Sequence, residues 1–323
     1  MNKPKVFLAH RLPRKVEEYI EEYCECEKWE GQGHIPGPEL YKRLHDKEGL
    51  IATNISVDGE LLNNAPLLRV VSNASVGYDN FDLNAMKARG IIGTNTSGAL
   101  DDTVADLIFA LILSAARRIA ELDRYVKEGS WKQEDGKKLF GVDVHHSTLG
   151  IIGMGRIGEA VAKRAALGFD MEVVYYNRNR KYETESRLGV KYAGFEELLQ
   201  KSDFIVLMTP LTKATYHLVG HKEFELMKNN AIFINASRGQ TVNEQALIEA
   251  LENKKILGAG LDVFEQEPVS PDNPLLKMPN VVTVPHIGSA TEKTRFNLSM
   301  TAAVNLVKAL SGENPPNPVS ELE

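Results

Sequence analysis

The sequence predicts an α/β protein built from two doubly wound parallel sheets. The chain has 323 residues, which at roughly 150 residues per domain is enough for about two domains with separate cores. Short apolar segments alternate with amphipathic ones along nearly the whole chain, as in parallel sheets that carry helices on both faces. Most of the apolar segments are continuous rather than alternating, which is typical of strands covered on both faces.

The first third of the chain supplies the first sheet. Its predicted strands span residues 5–9, 50–53, 69–72 and 91–93. Amphipathic stretches at 14–23, 38–44, 59–64 and 82–89 are predicted to be the intervening helices. One long apolar helix is predicted to follow from 103 to 129, with Asp101, Asp102 and Thr103 as candidates to cap its N-terminus.

A second series of strands and helices begins near residue 148. Its predicted strands span residues 149–153, 172–177, 204–208, 231–235, 258–263 and 281–284. Predicted helices include 155–167 and 243–253, and a last helix at 291–310 precedes a proline-rich extended arm at 313–323. This order predicts a discontinuous domain of residues 1–98 and 289–323, with residues 99–288 inserted as a second domain.

The composition argues against several classes of protein. Lys and Arg number 38 and Asp and Glu 44, so the formal net charge is −6. Because no long basic cluster is present, binding to nucleic acid or to an anionic membrane is not expected. The longest nearly uncharged apolar run, 104–116, is too short to span a bilayer and contains Asp106. The N-terminal residues do not predict a secretory signal.

The two cysteines, Cys24 and Cys26, lie in an alternating run. Such a run predicts a strand with both side chains on one face. The pair offers neither a disulfide framework nor a four-ligand zinc site. We therefore expect a cytoplasmic protein in a reducing environment, without a metal centre.

A glycine-rich turn follows the first strand of the second series. Gly153, Gly155 and Gly158 form the pattern G-x-G-x-x-G between an apolar strand and a helix. In a dinucleotide site these glycines allow a tight turn, the approach of a pyrophosphate to the backbone, and close helix–strand packing. The free N–H groups at the start of the helix, which include Arg156 and Ile157, attract phosphate. The pattern predicts a Rossmann nucleotide-binding domain, although a flavin or another nucleotide would also suit the loop.

The turn after the next strand indicates which cofactor binds. Sites that prefer NAD place Asp or Glu there to accept hydrogen bonds from the adenine ribose. This chain has Asn177, Arg178 and Arg180 in the turn, followed by Lys181, and no carboxylate. A guanidinium suits a 2′-phosphate. We therefore predict that NADPH is preferred, that NADH is the alternative, and that Asn177, Arg178 and Arg180 contact the cofactor.

Three charged or titratable residues come just after three later strands, namely Arg238, Glu267 and His286. The carboxyl ends of strands in a doubly wound sheet face the ligand crevice, so we expect these side chains to converge. Reduction of a 2-keto acid would use the arginine for the carboxylate and keto oxygen, and the histidine as proton donor. The glutamate would favour the protonated imidazole and hold the ring in orientation.

These segments resemble the D-isomer-specific 2-hydroxyacid dehydrogenase family over almost the whole chain. The resemblance is carried by the glycine loop and by residues 235–239, 260–268 and 286–291, in that order and spacing. It implies that Arg238 binds substrate, that His286 is the acid/base, and that Glu267 supports His286. It also implies a Rossmann domain inserted in a discontinuous flavodoxin-like substrate domain, and a homodimer in which the predicted helix at 103–129 packs against its counterpart.

Further positions follow from the same resemblance. It implies that the N–H groups of Val76 and Gly77 hold the substrate carboxylate. It also implies cofactor contacts at Thr103, Pro210, Ala236, Asp262 and Ser289. Within the family the sequence is most similar to the glyoxylate/hydroxypyruvate reductases and the bacterial 2-ketogluconate reductases. The expected reaction is therefore NADPH-preferring reduction of glyoxylate, hydroxypyruvate or 2-ketogluconate to a D-2-hydroxy acid, by hydride transfer with His286 as general acid.

Two alternatives stay open at this stage. The chain could act on another D-2-hydroxy acid, such as phosphoglycerate or lactate. It could also be a nucleotide-sensing, corepressor-like binding protein, because such proteins share the fold and keep the Arg–Glu–His set.

Overall fold

The computed structural model describes residues 3–31, 33–53 and 55–322, which form two compact units. One unit, called here the split unit, comprises the described residues up to 100 together with those from 290 onwards. The other, called here the continuous unit, comprises residues 101–289.

Each unit contains one sheet of parallel strands. The strands are β1 Lys5–Leu8, β2 Glu25–Lys28, β3 Gly49–Ala52, β4 Val70–Asn73, β5 Ile92–Thr94, β6 Thr148–Ile152, β7 Glu172–Tyr176, β8 Lys191–Tyr192, β9 Phe204–Leu207, β10 Ile232–Asn235, β11 Gly258–Leu261 and β12 Val281–Thr283. The helices are α1 Arg14–Tyr23, α2 Gly37–Leu44, α3 Gly59–Asn64, α4 Leu83–Ala88, α5 Asp101–Ala116, α6 Ile119–Lys127, α7 Arg156–Gly168, α8 Tyr182–Leu188, α9 Phe195–Lys201, α10 His221–Leu226, α11 Glu244–Glu252 and α12 Glu292–Leu310.

The sheet of the split unit has the strand order β2-β1-β3-β4-β5, which is that of the flavodoxin-like fold. Successive side chains of a strand point to opposite faces, and Val6 and Phe7 accordingly join different core clusters. Helices α1 and α12 cover the face of Val6, while α2, α3 and α4 cover that of Phe7. Helices on both faces make this sheet doubly wound, as the sequence predicts.

The sheet of the continuous unit has the order β12-β11-β10-β9-β6-β7-β8. Renumbered within the unit, this is the Rossmann order 3-2-1-4-5-6 with one further strand at the edge. The chain leaves β6 toward β7 on one side and resumes with β9 on the other. The carboxyl ends of β6 and β9 therefore flank the switch point, which is where ligands bind in such sheets.

The predicted helix at 103–129 is two helices, so this prediction was wrong in its extent. Arg118, between α5 and α6, has a φ of 56°, which is left-handed backbone. The carbonyl of Ala116 accepts a hydrogen bond from the N–H of Val142 at 2.9 Å instead of from the next helical turn. A distant segment thus takes the acceptor that would have continued the helix.

Of the two short strands at sheet edges, β8 is absent from the sequence-based prediction, and β2 was predicted only as the alternating run around the cysteines. The alternating run around the cysteines does enter β2, but Cys24 ends α1 and only Cys26 lies within the strand. Both thiols are free and pack against the same core cluster, as the prediction of a shared face requires.

The proline-rich segment after α12 returns to the sheet of the split unit. The N–H of Val319 donates to the carbonyl of Gly93 at 2.9 Å, and Val319 is buried. Residues Ser320–Leu322 form a 3-10 turn rather than the end of an extended arm. Among the helices that the structure describes, none has the length and apolar character needed to cross a membrane.

Candidate active site

The glycine loop lies between β6 and α7, at the switch point of the continuous unit. Gly153 has a φ of +104°, and a Cβ there would lie 2.4 Å from the carbonyl oxygen of Met208. A Cβ on Gly158 would lie 2.4 Å from the carbonyl oxygen of Gly153. Both positions therefore need glycine for the fold itself. Around Gly155, by contrast, no described atom lies within 4 Å of an added Cβ, so its missing side chain leaves open space beside the loop.

The start of α7 provides groups suited to a phosphate. Gly155 precedes the helix without a side-chain cap, and the N–H groups of Arg156 and Ile157 have no intrahelical acceptor. Next to Gly153, the buried hydroxyl of Thr209 has no hydrogen-bond partner among the described residues. An open cradle, free amides at a helix N-terminus and an unused hydroxyl fit a dinucleotide pyrophosphate.

The turn after β7 contains two arginines, one ion-paired and one with no partner among the described residues. The guanidinium of Arg180 makes two hydrogen bonds of 2.8 Å to the carboxylate of Glu185, which also accepts one of 2.7 Å from Tyr175. These bonds hold the pKa of Glu185 well below its usual value, at about 2. Arg178 is exposed and makes no ion pair or hydrogen bond with any residue that the structure describes. Asn177 bonds across the turn to the carbonyl of Asn179 at 2.9 Å.

A histidine–carboxylate pair lies beyond β11 and β12. The Nδ1 atom of His286 is 2.7 Å from the Oε2 atom of Glu267, whose other oxygen accepts from the N–H of Phe264 at 3.1 Å. Burial opposes ionisation of Glu267, but the hydrogen bond from His286 and the charges of His286 and Arg238 outweigh it and lower the pKa of Glu267. The glutamate is therefore ionised at neutral pH and acts only as an acceptor. Nδ1 carries a proton, and Nε2 is the nitrogen free to exchange one.

The backbone around His286 is held by a buried carboxylate. His286 has a φ of 51°, and its N–H donates to the carbonyl of Asp262 at 2.9 Å. The two carboxylate oxygens of Asp262 accept from the N–H groups of Ile287 and Gly288, at 2.6 and 3.0 Å. Burial raises the pKa of Asp262, although these N–H groups and His286 act in the opposite direction. This predicted cofactor contact therefore also fixes the loop that carries the histidine.

Arg238 comes close to this pair because two loops touch. It lies three residues after the end of β10, and its carbonyl accepts hydrogen bonds from the side chains of Asn235 and Thr241, at 3.1 and 2.6 Å. The next residue, Gly239, lies so close to the backbone of Phe264 that no Cβ would fit. The structure thus brings Arg238, Glu267 and His286 together at the carboxyl end of the sheet.

The remaining predicted residues of the continuous unit lie around the same end of the sheet. Pro210 follows β9, and its carbonyl accepts from the hydroxyl of Thr215 at 2.6 Å. Thr103 lies in the first turn of α5. The side chain of its neighbour Val104 lies next to Gly288, where it would contact an added Cβ. Ala236 and Ser289 occupy the loops after β10 and β12. Val76 and Gly77 belong to the split unit, in the loop after β4.

One pair near this site was missed by the reasoning from sequence. His217, in the loop after β9, contacts the carboxylate of Glu265 through Nε2, and Glu265 lies two residues before Glu267. The pair links the loop that contains Pro210 to the loop that contains Glu267. The doubled Glu-x-Glu at 265–267 was its only sign in the sequence, and it does not indicate which histidine is the partner.

Comparison with known proteins identifies the family. The model of the D-isomer specific 2-hydroxyacid dehydrogenase NAD-binding domain matches residues 109–288. The glyoxylate/hydroxypyruvate reductase B of Yersinia enterocolitica is 47% identical over 98% of both chains. The glyoxylate reductase of Korarchaeum cryptofilum is 45% identical over 99% of this chain and 96% of that one.

A solved structure agrees with these relatives. The NADPH-dependent glyoxylate/hydroxypyruvate reductase of Sinorhizobium meliloti, in complex with NADP and malonate, superposes with a TM-score of 0.87. It is 30% identical and covers 99% of this chain and 98% of that one. The predicted resemblance is confirmed, and the chain is an oxidoreductase that belongs to the D-isomer specific 2-hydroxyacid dehydrogenase family.

Proposed function

We propose that this protein is an NADPH-preferring reductase that converts small 2-keto acids into D-2-hydroxy acids. The observation that carries the proposal is the His286–Glu267 pair beside Arg238, at the same carboxyl end of the sheet as the glycine loop. The names of the relatives support glyoxylate and hydroxypyruvate as substrates, and 2-ketogluconate is the third candidate.

The cofactor is held by the continuous unit in this proposal. The N–H groups of Gly155, Arg156 and Ile157 would hold its pyrophosphate, and the hydroxyl of Thr209 would be a further donor. Thr103, Pro210, Ala236, Asp262 and Ser289 would contact its nicotinamide half. When bound, the reduced nicotinamide supplies the hydride that reduces the keto carbon.

The choice of NADPH over NADH depends on the turn after β7. Arg178 is exposed and has no partner among the described residues, so its charge is available to a 2′-phosphate. The charge of Arg180 is already matched by Glu185. We therefore assign the main phosphate contact to Arg178, with Asn177 and Arg180 shaping the turn around it.

The chain's own residues then bind the substrate and move one proton. The planar donors of Arg238 bind the carboxylate and polarise the keto group. Glu267 holds the imidazole of His286 through Nδ1, and Nε2 donates its proton to the keto oxygen. The imidazolium becomes neutral imidazole, and the oxygen becomes the hydroxyl of the product. The N–H groups of Val76 and Gly77 are proposed as further contacts of the substrate carboxylate.

We also propose a homodimer, formed by the second part of the helix predicted at 103–129 and by the segment that follows it. The first part of that predicted helix, α5, is buried within its own unit through Val104, Ile108 and Ile112. Exposed apolar side chains appear in α6 and just beyond it, at Ile119, Val126, Trp131 and Phe140. These residues would form the contact between the two copies. The cytoplasmic location expected from the sequence stays a prediction.

The reaction is tested by following the loss of reduced-nicotinamide absorbance with purified protein. NADPH and NADH are each combined with glyoxylate, hydroxypyruvate and 2-ketogluconate. Rapid oxidation of NADPH with any of the three supports the proposal, and the relative rates choose the substrate. Protein that binds NADPH but stays silent with all three would overturn it in favour of a nucleotide-sensing role.

A further inference from the structure

The loop after β4 presents three backbone N–H groups in a row without acceptors. The N–H groups of Val76, Gly77 and Tyr78 make no hydrogen bond with any residue in the described part of the chain. The carbonyl groups of the same three peptide units, those of Ser75, Val76 and Gly77, are all hydrogen-bonded. These four residues are half-buried, so the free N–H groups lie near the surface of the split unit.

The carbonyl of Gly77 is held by two donors from its own loop. The amide Nδ2 of Asn73 donates to it at 2.7 Å and the hydroxyl of Ser75 at 2.6 Å. Asn73 Nδ2 also lies 2.9 Å from the Ser75 hydroxyl oxygen. The two side chains therefore support each other as well as the carbonyl.

The two preceding carbonyls are held from the segment after β5. The N–H of Thr96 donates to the carbonyl of Ser75 at 3.0 Å, and the Nδ2 of Asn95 donates to that of Val76 at 3.0 Å. Asn95 is itself fixed, because its carbonyl accepts from the side chain of Asn305 in α12 at 2.8 Å.

These bonds determine where the three N–H groups point. In a planar trans peptide the C=O and N–H bonds point in opposite directions. Three carbonyls bonded toward the interior thus turn three consecutive N–H groups outward. Successive N–H groups with a common direction form a concave site for an anion. We call residues 76–78 the amide nest.

One detail indicates that Asn73 serves this geometry and not stability alone. Its side chain is wholly buried, yet its Oδ1 atom has no hydrogen-bond partner among the described residues. A buried acceptor without a donor is destabilising. The presence of Asn73 here, despite its unpaired Oδ1 atom, is explained by its Nδ2 group, which orients the nest.

We propose that Asn73, Ser75 and Asn95 are positioning residues that orient the amide nest for the carboxylate of the substrate. The inference rests on the proposed function for the identity of that carboxylate. It adds the N–H of Tyr78 as a third donor.

The first test is kinetic. Ser75→Ala removes one of the two donors to Gly77, and we expect the KM for glyoxylate to rise about 3- to 10-fold, with kcat changed less than about 2-fold. Ser75→Thr keeps the hydroxyl and should restore the wild-type KM. Asn73→Asp keeps the shape but replaces a donor by an acceptor, and it should raise the KM further than Ser75→Ala does. The Kd for NADPH should stay unchanged in all three variants.

A matched control separates positioning from a general loss of stability. Ser72 precedes Asn73 in the same strand, and its buried hydroxyl bonds to the carbonyl of Ala302 at 2.8 Å without touching the nest. Ser72→Ala should therefore lower the thermal stability and leave the KM for glyoxylate unchanged. If Ser75→Ala raises the KM no more than Ser72→Ala does, the positioning role is wrong.

A binding experiment distinguishes failure of this inference from failure of the proposed function. Oxalate is titrated into ¹⁵N-labelled protein, and the amide resonances of residues 76–78 are followed. Shifts at these amides that weaken in Ser75→Ala support the nest even if no keto acid is turned over, in which case only the proposed reaction fails. Turnover of glyoxylate without any shift at these amides would overturn the nest while leaving the reaction intact.

Discussion

The Nδ1 atom of His286 lies 2.7 Å from the Oε2 atom of Glu267, and the backbone of the histidine is left-handed, with a φ of 51°. Because the lowered pKa of Glu267 keeps its carboxylate ionised at neutral pH, one ring nitrogen is committed to the pair. In the proposed reaction, Nε2 is therefore the atom that donates the proton to the substrate.

Replacing the histidine tests its role directly. We expect His286→Ala to lower kcat by at least about 100-fold, because general-acid catalysis contributes that much or more. Glu267→Gln should lower kcat less, since the ring loses its charged partner but keeps its position in the loop. Both are checked by steady-state assays with glyoxylate. A His286→Ala enzyme with nearly normal kcat would show that another group donates the proton.

The glycine loop offers a substitution that separates binding from folding. A Cβ on Gly155 meets no described atom within 4 Å, so Gly155→Ala should fold with about the stability of the wild type. The added methyl would occupy the space proposed for the pyrophosphate, and we expect the Kd for NADPH to rise at least about 10-fold. Gly168→Ala, at the other end of α7 and equally open, is the control that should leave the Kd unchanged. Tight NADPH binding by Gly155→Ala would place the pyrophosphate elsewhere.

The two arginines after β7 predict a specific change in cofactor preference. Arg178→Asp should shift the ratio of kcat/KM for NADPH over NADH toward NADH by about 10-fold or more, because a carboxylate repels a 2′-phosphate and accepts ribose hydroxyls. The control is Arg187→Asp in α8, which makes the same change in charge at an arginine paired with Glu159. An equal shift in both variants would mean that overall charge, and not Arg178, determines the preference.

Tyr175 predicts a loss of stability at alkaline pH. Burial, together with the hydrogen bond to Glu185, raises its pKa from 10.0 to about 12. A phenol whose pKa is higher in the folded state contributes stability that is complete below pH 10 and is lost as the pH rises toward 12. Urea unfolding across this range should therefore show a steeper decline for the wild type than for Tyr175→Phe. Parallel curves would show that Tyr175 does not contribute.

The apolar side chains around α6 predict the quaternary structure. Val126→Glu should convert a dimer into a monomer in sedimentation velocity, because a charge would be buried in the contact. Leu167→Glu, at another exposed apolar position, should leave the sedimentation coefficient unchanged. A wild-type protein that sediments as a monomer at micromolar concentration would remove the proposed dimer.

The two-sheet architecture could be predicted because its signals are local. Continuous apolar strands, glycine spacing and residues just past strand ends all depend on neighbours in the sequence. The break between α5 and α6 could not, because it depends on the N–H of Val142, more than twenty residues away. Arg180 was assigned incompletely for another reason. Its charge suggested a phosphate contact, and although Glu185 is only five residues away, the sequence does not show that the folded turn pairs the two side chains.

The positioning residues were hidden for a related reason. Asn73 and Asn95 are ordinary polar residues in the sequence, and their importance arises from which carbonyls their amides meet. The bond of Asn73 lies within its own loop and that of Asn95 joins segments that follow two strands, and no spacing rule indicates either.

Because residues 101–289 are inserted within the split unit, that unit can complete its fold only late in synthesis on the ribosome. Helix α12 packs against β3 and β4, and the hydroxyl of Ser72 bonds to the carbonyl of Ala302. The five strands of this sheet therefore emerge long before the helix that covers one of its faces. At roughly 5–20 residues per second, synthesis of the intervening unit takes on the order of 10 to 40 seconds. During that interval the nascent sheet exposes an apolar face, which makes this stage of translation the point at which chaperones would have most to protect.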